Sequence, residues 1–249
     1  MTRIVLFFLI LTLRSAGAQA ALPFAPGERL EYTGKVRGGI SGRGTLWIEG
    51  GAELRGVATW ILHSDMQGSV GFIHAGDKNA SWLDPVRMAS LRYSSHERHL
   101  LKRTDDEVDM FADEKRWTSQ SGAAGVLTSD APLDELSFLY LLRTIALPTD
   151  STLTLNRHFD VARNPTTVVV LGREEVDIPA GHFRAVIVEM HVRDTKHYRG
   201  EGIIRITLSD DRCRLLLRLE SDVPDAGKAT LSLASYAGTS CQEKSANVR

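Results

Sequence analysis

The sequence lacks any strong excess of charge of either sign. Its 249 residues carry 30 basic and 31 acidic side chains, which gives a formal net charge of −1. The basic residues are also scattered along the chain rather than clustered. A near-neutral chain of this kind lacks the electrostatic footprint that nucleic-acid binding requires. We therefore expect no nucleic-acid partner.

Long apolar runs are lacking as well. The run Ile4–Leu13 is ten residues long, whereas a membrane-spanning helix needs roughly twenty. Arg3 precedes this run and Ala18-Gln19-Ala20 follows it, which is the order of a secretory signal peptide. The sequence therefore predicts a signal peptide over residues 1–20, cleaved after Ala20. The alternative is a buried N-terminal helix or strand.

Export has consequences for the rest of the chain. Cleavage after Ala20 removes Arg3 and Arg14 and no acidic residue, so the net charge moves from −1 to −3. No later segment approaches eighteen consecutive apolar residues, so we expect no transmembrane span after cleavage. The mature chain is then expected to be periplasmic or secreted.

Recognisable catalytic motifs are also missing. No serine lies in a Gly-x-Ser-x-Gly elbow, and the glycines around Ser41 lie in a predicted hairpin rather than in a phosphate-binding loop. His96 and His99 are three residues apart on a predicted strand, so their side chains point to opposite faces. The acidic run Asp105–Asp109 lacks the spacing of a calcium loop. We predict no catalytic residue, no metal site and no cofactor.

What the sequence does contain is alternation with period two, which is typical of strands with one solvent-exposed face. The clearest pair is "TTVVVLGREEVDI" and "GHFRAVIVEMHV", separated by Pro179-Ala180-Gly181. Proline fixes φ and glycine tolerates positive φ, so this tripeptide predicts a tight turn between two antiparallel strands. Asp210-Asp211 predicts a second turn of the same kind. About a dozen strands are expected in all.

One segment breaks this pattern, at about residues 132–146. Pro132 suits a first helical position, and Asp134 and Glu135 suit the positive end of the helix dipole. Apolar residues lie on almost every side of the predicted helix, so it must be buried. The predicted fold is mainly β: a strongly curved antiparallel sheet, an incomplete barrel or a sandwich, around one buried α-helix. Residues 21–240 are expected to form a single domain, with 241–249 as a C-terminal tail.

Four stretches in this order resemble an exported bacterial family known as domain of unknown function 3108. They are "LPFAPGERLEY", "LDELSFLYLLRTIAL", "GREEVDIPAGHFRAVIVEM" and "LSDDRCRLLLRLESDVP". The resemblance covers nearly the whole mature chain and implies an envelope or periplasmic setting in bacteria with two membranes. It implies no catalytic residue.

Three functions agree with these observations. The first is non-catalytic binding of an apolar or lipid-like ligand by an envelope protein, with Tyr140, Phe138 and Trp60 as the predicted pocket wall beside the helix. The second is a protein–protein interaction module of an envelope assembly. The third is a hydrolase whose site the sequence does not reveal.

The only two cysteines, Cys213 and Cys241, predict a disulfide, because export places them in an oxidising compartment. The alternative is a pair of free thiols.

Overall fold

The computed structural model describes residues 21–36, 40–70, 73–99, 102–193, 201–223 and 227–239. The predicted signal peptide and its cleavage site lie outside these residues, as do Cys241 and the rest of the predicted C-terminal tail. The described chain forms fourteen strands, one α-helix and two short 3-10 helices.

The strands and helices follow the chain in this order: β1 Arg29–Val36, β2 Ile40–Leu54, β3 Val57–Val70, β4 Ile73–Asp84, β5 Ala89–His99, β6 Lys102–Phe111, a 3-10 helix Ala112–Glu114, β7 Arg116–Ser119, β8 Ala124–Val126, α1 Glu135–Thr144, β9 Thr152–Leu155, a 3-10 helix Val161–Arg163, β10 Thr166–Ile178, β11 Gly181–Arg193, β12 Glu201–Ser209, β13 Leu216–Val223 and β14 Gly227–Ala237.

All fourteen strands belong to one antiparallel sheet. Its order is β8-β7-β6-β5-β4-β3-β2-β1-β14-β13-β12-β11-β10-β9. The chain therefore starts in the middle of the sheet, meanders outward to β8, and begins again at the opposite edge with β9. The last strand, β14, returns to the middle and pairs with β1 over eight registered positions from Arg29 to Val36. The strands β1–β8 are called the N-terminal half-sheet and β9–β14 the C-terminal half-sheet.

The sheet is curved but not closed. The edge strands β8 and β9 are not hydrogen-bonded to each other. Instead, the segment before α1 and the segment after β9 meet at a parallel bridge between Leu133 and His158. Two backbone hydrogen bonds hold it, from Leu133 N–H to the Arg157 carbonyl at 2.6 Å and from Phe159 N–H to the Leu133 carbonyl at 3.0 Å. This confirms the mainly β fold with an incomplete barrel, and a loop contact spans the gap between the edges.

The helix lies on the concave face, where one apolar cluster combines α1 with both half-sheets. Tyr140 and Leu142 of α1, Leu30 of β1, Leu62 of β3 and Val188 of β11 are all fully buried in this cluster. The buried helix is therefore confirmed, and its apolar circumference is explained by contact with strands on more than one side. No helix within the described ranges is long and apolar enough to span a membrane.

The helix is shorter than the predicted span of 132–146. Asp134 is its N-cap, with extended backbone, and Ile145 is its C-cap, also extended. Pro132 therefore lies before the helix and not at its first position. Its carbonyl instead accepts a hydrogen bond of 2.8 Å from Ser90 N–H, which ties this segment to β5.

The two predicted turns are present. β10 and β11 pair up to Ile178 opposite Gly181, so Pro179 and Ala180 form the connection. At the second turn the Asp211 carboxylate accepts hydrogen bonds from the backbone N–H groups of Cys213 and Arg214 at 2.9 and 3.1 Å. This is the side-chain-to-backbone bonding expected of aspartate in a turn.

Candidate functional site

The N-terminus of α1 is fixed by a buried polar cluster around Asp134. One carboxylate oxygen accepts from the backbone N–H groups of Leu136 and Ser137 at 2.9 Å each. The other accepts from the hydroxyl of Ser81 on β4 at 2.6 Å, and Ser90 on β5 donates to the Ser137 hydroxyl at 2.8 Å. Burial raises the pKa of the Asp134 carboxyl, and the serine hydrogen bonds oppose this shift. The hydrogen bonds of these hydroxyls cap the helix and anchor it to two strands.

The C-terminus of α1 is fixed by a buried ion pair. Arg143 contacts the Glu28 carboxylate with both terminal nitrogens, Nη1 at 2.5 Å and Nη2 at 2.8 Å, and both side chains are 0% exposed. Arg143 also donates to the carbonyls of Pro23 at 3.3 Å and Cys213 at 3.1 Å. Glu28 directly precedes β1 and Cys213 precedes β13, so one guanidinium joins the helix to both half-sheets. No local sequence pattern indicates this pair, because the two residues are 115 positions apart.

The three predicted pocket residues do not form a single group. Tyr140 is fully buried, and its ring packs edge-to-face on Phe24, with centroids 4.9 Å apart. Trp60 contacts the same Phe24 ring at 6.2 Å. Phe138 instead stacks on His158 at 6.4 Å. The structure therefore groups Tyr140 with Trp60 through Phe24, which the sequence reasoning did not single out, and places Phe138 elsewhere.

Tyr140 has one unusual property. Within the described chain, its buried hydroxyl has no hydrogen-bond partner. Burial raises the pKa of this phenol, as does the nearby Glu28 charge, so it remains a neutral donor. A buried donor without a partner costs free energy, so this is a place where a bound water or ligand atom would be stabilising. The role of Tyr140, Phe138 and Trp60 in binding stays a prediction.

Beyond the helix, the inner face of the N-terminal half-sheet changes character. Cross-strand pairing places Leu62, Ser81, Tyr93 and Val108 in one inward row beside α1. Two residues further from the helix, the corresponding row consists of Ser64, Asn79, Ser95 and Asp106. The next inward row consists of Met66, Asp77, Glu97 and Thr104. Because side chains alternate between faces, these rows, apart from Met66, which packs against the apolar cluster, form a polar wall on the concave side.

The inner face of the C-terminal half-sheet remains mostly apolar over the same distance, although Ser221 lies opposite Ile204. Val192, Ile204, Leu219 and Leu231 are partly buried and pack against the apolar cluster from its outer margin. Leu231 lies directly over Gly34 of β1, where an added Cβ would be 2.5 Å from its Cδ2 atom. Glycine at this position therefore lets the leucine side chain lie flat on the sheet. These four side chains form an apolar wall that is still partly open to solvent.

The concave face away from the helix thus has an apolar wall on β11–β14 and a polar wall on β3–β6, with β1 and β2 between them. Such a surface suits an amphiphilic ligand, because apolar atoms are covered on one side and polar atoms are hydrogen-bonded on the other. We call these two walls and the strands between them the concave site. Sequence periodicity could not reveal this site, because alternation shows that one face of a strand is buried but not how far along the strand the burial extends.

Of the other candidates from the sequence, only Asp106 of the acidic run lies in the concave site, as part of its polar wall. His96 on β5 contacts the exposed carboxylate of Asp105 at 2.8 Å, and Asp109 is held by Arg92 and Arg55 at 2.9 and 2.7 Å. Within the described residues no group of three or more His, Cys, Asp or Glu side chains is placed to hold a metal ion. Cys213 is buried, but its predicted partner Cys241 lies outside the described residues, so the disulfide stays a prediction.

Among solved structures, the chain is similar to a β-barrel-like protein of domain of unknown function DUF1849 from Brucella abortus. The TM-score is 0.59 at 13% identity, over 87% of this chain and 99% of that one. This similarity shows a shared fold and nothing further.

Two further similarities are too weak to support any inference. One is to a candidate exported protein with a YmcC-like fold from Bacteroides fragilis, with a TM-score of 0.34 at 10% identity over 87% of this chain and 98% of that one. The other is to a candidate lipoprotein from Parabacteroides distasonis, with a TM-score of 0.30 at 10% identity over 87% and 97%.

No curated protein is significantly similar to the sequence. A family model described as "Protein of unknown function (DUF3108)" matches residues 18–234. This match extends over most of the chain and confirms the resemblance seen in the sequence: the chain belongs to the family DUF3108.

Proposed function

We propose that this protein is an exported envelope protein that binds a lipid-like ligand, without catalysis, in its concave site. The observation that carries the proposal is the apolar wall of Val192, Ile204, Leu219 and Leu231, whose inward side chains remain only partly buried. A ligand that covers this apolar surface gains a binding free energy of about 25 cal/mol for each Å2 that is removed from water.

The proposed ligand position is the part of the concave face away from the helix. The helix itself contacts β3 and β4 and is anchored by Asp134 and Arg143. The polar wall of β3–β6 supplies hydrogen-bonding groups opposite the apolar wall. A ligand with an apolar chain and a polar head can contact the apolar wall and hydrogen-bond to the polar wall. A purely apolar ligand would bury the groups of the polar wall without hydrogen-bond partners.

Two sequence features support the setting. The predicted signal peptide directs the chain out of the cytoplasm, and the family resemblance implies a bacterial envelope. A lipid-binding protein in this compartment would meet its ligand on transfer from a membrane. The predicted cleavage after Ala20 is checked by the intact mass of protein recovered from the periplasm.

The test is native mass spectrometry of protein isolated gently from its own envelope. Ile204 and Ile203 are adjacent on β12 and point to opposite faces: Ile204 packs at the margin of the core, and Ile203 is 45% exposed on the outside. We expect a co-purifying lipid in the wild type and in Ile203→Glu, and its loss in Ile204→Glu.

Circular dichroism of both variants shows whether they remain folded. A ligand-free wild type that also fails to take up a fluorescent fatty-acid probe would contradict the proposal. So would equal retention of lipid by the two variants.

A further inference from the structure

A cavity lies on the outer face of the C-terminal half-sheet, on the opposite side of the sheet from the concave site. It arises at a β-bulge in β10, where the register with β11 shifts between Val170 and Gly172. Gly172 has φ of +156°, and an added Cβ there would meet open space. A bulge bends a strand and increases its twist, so the remainder of the β10–β11 hairpin turns over the outer side of its neighbours.

Three contacts hold the bent hairpin in place. Ala180 N–H, at its tip, donates to the Leu233 carbonyl of β14 at 3.0 Å. Phe183 packs edge-to-face on Tyr236 with centroids 6.3 Å apart. Asp210 N–H donates to the Arg184 carbonyl at 2.8 Å. The hairpin thus reaches across the turn between β12 and β13 and contacts β14.

A half-open cavity of about 490 Å3 lies between the hairpin and the outer side of β12 and β13. Its floor is one cross-strand row in which Gly172, Ile187, Thr207 and Arg218 are successive partners. The remaining lining residues are Leu171, Arg173, Glu174, Arg205 and Glu220. A cavity of this size accommodates a small organic ligand or a few residues of a peptide.

The charges in this cavity are not evenly paired. Arg205 contacts the Glu189 carboxylate twice, at 2.6 and 3.2 Å, and Arg173 contacts Asp210 at 3.1 Å. Arg218 has only a long hydrogen bond of 3.4 Å, to the carbonyl of Asp177, and no carboxylate partner among the described residues. One guanidinium is therefore free to bind an oxyanion with two parallel hydrogen bonds.

The other lining residues narrow the class of ligand. Only Leu171 and Ile187 are apolar, so the lining does not suit a lipid chain. Thr207 and Glu174 contribute a hydroxyl and a carboxylate that can hydrogen-bond to amides. The carboxylates of Glu174 and Glu220 would repel a ligand with several negative charges, which disfavours nucleic acids and polyphosphates.

We infer that this outer cavity binds the carboxyl end of a short peptide segment. Its single terminal carboxylate binds Arg218, and one apolar side chain rests on Leu171 and Ile187. Glu174, which also lines the cavity, accepts from amide or ammonium groups further along the segment. This inference does not depend on the lipid proposed for the concave site.

The test uses the mature chain and a fluorescein-labelled peptide, Gly-Gly-Ser-Val-Leu, with a free carboxylate or with a C-terminal amide. We expect fluorescence anisotropy to show about tenfold weaker binding of the amide, because it lacks the charge-assisted hydrogen bonds to Arg218. Arg218→Gln should weaken binding of the acid by about the same factor and leave binding of the amide unchanged.

The matched control is Arg98→Gln, which removes an exposed arginine from β5 of the other half-sheet and should change neither affinity. Leu171→Ser should weaken both peptides equally, since it removes only apolar contact. Equal affinity of acid and amide, or unchanged binding of the acid to Arg218→Gln, would overturn the inference. Failure of both peptides to bind at millimolar concentration, or displacement of the acid by acetate at equal concentration, would overturn it too.

Discussion

The two half-sheets share one alternating strand pattern but use their inner faces differently. In the C-terminal half, the inward residues of β11 and β12 remain apolar, from Val188 and Ile206 beside the core to Val192 and Ile204. In the N-terminal half, the inward row changes from Leu62 beside the helix to polar residues such as Ser64 two positions further on. The hydrophobic core is therefore off-centre, displaced toward the helix and the C-terminal strands.

This difference shows that long strands can extend beyond the hydrophobic core that they cover. β2 and β3 have 15 and 14 residues, and only their parts near the helix carry buried apolar side chains. The remaining inward positions are free to form a surface with its own chemistry. The most informative experiments therefore separate what joins the two halves from what distinguishes them.

The largest effect is expected from breaking the ion pair that joins the halves. Glu28→Ala leaves the Arg143 guanidinium buried without its charge partner, which should lower the free energy of unfolding by about 3–5 kcal/mol. Urea denaturation measures this. The double variant Glu28→Leu with Arg143→Met replaces the pair by apolar side chains and should recover most of the loss. If it is no more stable than Glu28→Ala, the cost does not come from the unpaired charge.

A smaller effect is expected at the other end of the helix. Asp134→Ala removes the N-cap and the acceptor of Ser81, and should cost about 1–2 kcal/mol. Asp134→Asn keeps a capping oxygen and should cost less. Thermal unfolding of both variants measures the difference. If the alanine variant were as stable as the wild type, the link from α1 to the N-terminal half-sheet would contribute nothing.

Asp134 should also make the free energy of unfolding depend on pH. Burial raises the pKa of folded Asp134 above its ordinary value of 3.8, so the folded state holds this proton more tightly than the unfolded state does. Its contribution to stability is therefore full below pH 3.8 and declines as the pH rises through the higher folded pKa. Asp134→Asn should lack this decline in urea denaturation at a series of pH values. An identical pH profile for the two proteins would contradict the assignment.

The two walls can be compared directly by a matched pair. Leu219→Ala on the apolar wall should cost about 1 kcal/mol, since the side chain is only partly buried. Asn79→Ala on the polar wall should change stability by no more than about 0.5 kcal/mol. Equal losses in urea denaturation would show that the two inner faces do not differ as described.

The smallest effect concerns the tip of the β10–β11 hairpin. The pKa of His182 is raised by its hydrogen bond to Asp177 at 2.9 Å and by the nearby Glu175. The charged contact is fully present below pH 6.5, the ordinary value, and is lost as the pH rises through the folded pKa. An NMR titration should give this histidine a midpoint above the ordinary value of 6.5, and Asp177→Asn should lower that midpoint. An unshifted midpoint in that variant would show that the contact is not formed in solution.

Local features of the fold could be read from the sequence, whereas distant pairings could not. Period-two alternation and the Pro179-Ala180-Gly181 turn were sufficient for β10 and β11, because both signals act between near neighbours. The predicted helix start at Pro132 was wrong, because the fixed φ of proline also suits the extended segment before the N-cap. The Glu28–Arg143 pair, the position of β1 beside β14 and the polar inward rows depend on the sheet order, which no local pattern contains.

The pairing of the first strand with the last has a consequence for assembly. β1 gains its neighbour β2 almost at once, but its other edge remains open until β14, nearly 200 residues later, has been added. Such a long-range contact is formed late and slowly. Until then the molecule consists of two meanders, each with an unpaired edge that could recruit a strand from another chain. The seam between β1 and β14, near the middle of the finished sheet, is thus expected to form late, and both of its edges are open to other chains until it does.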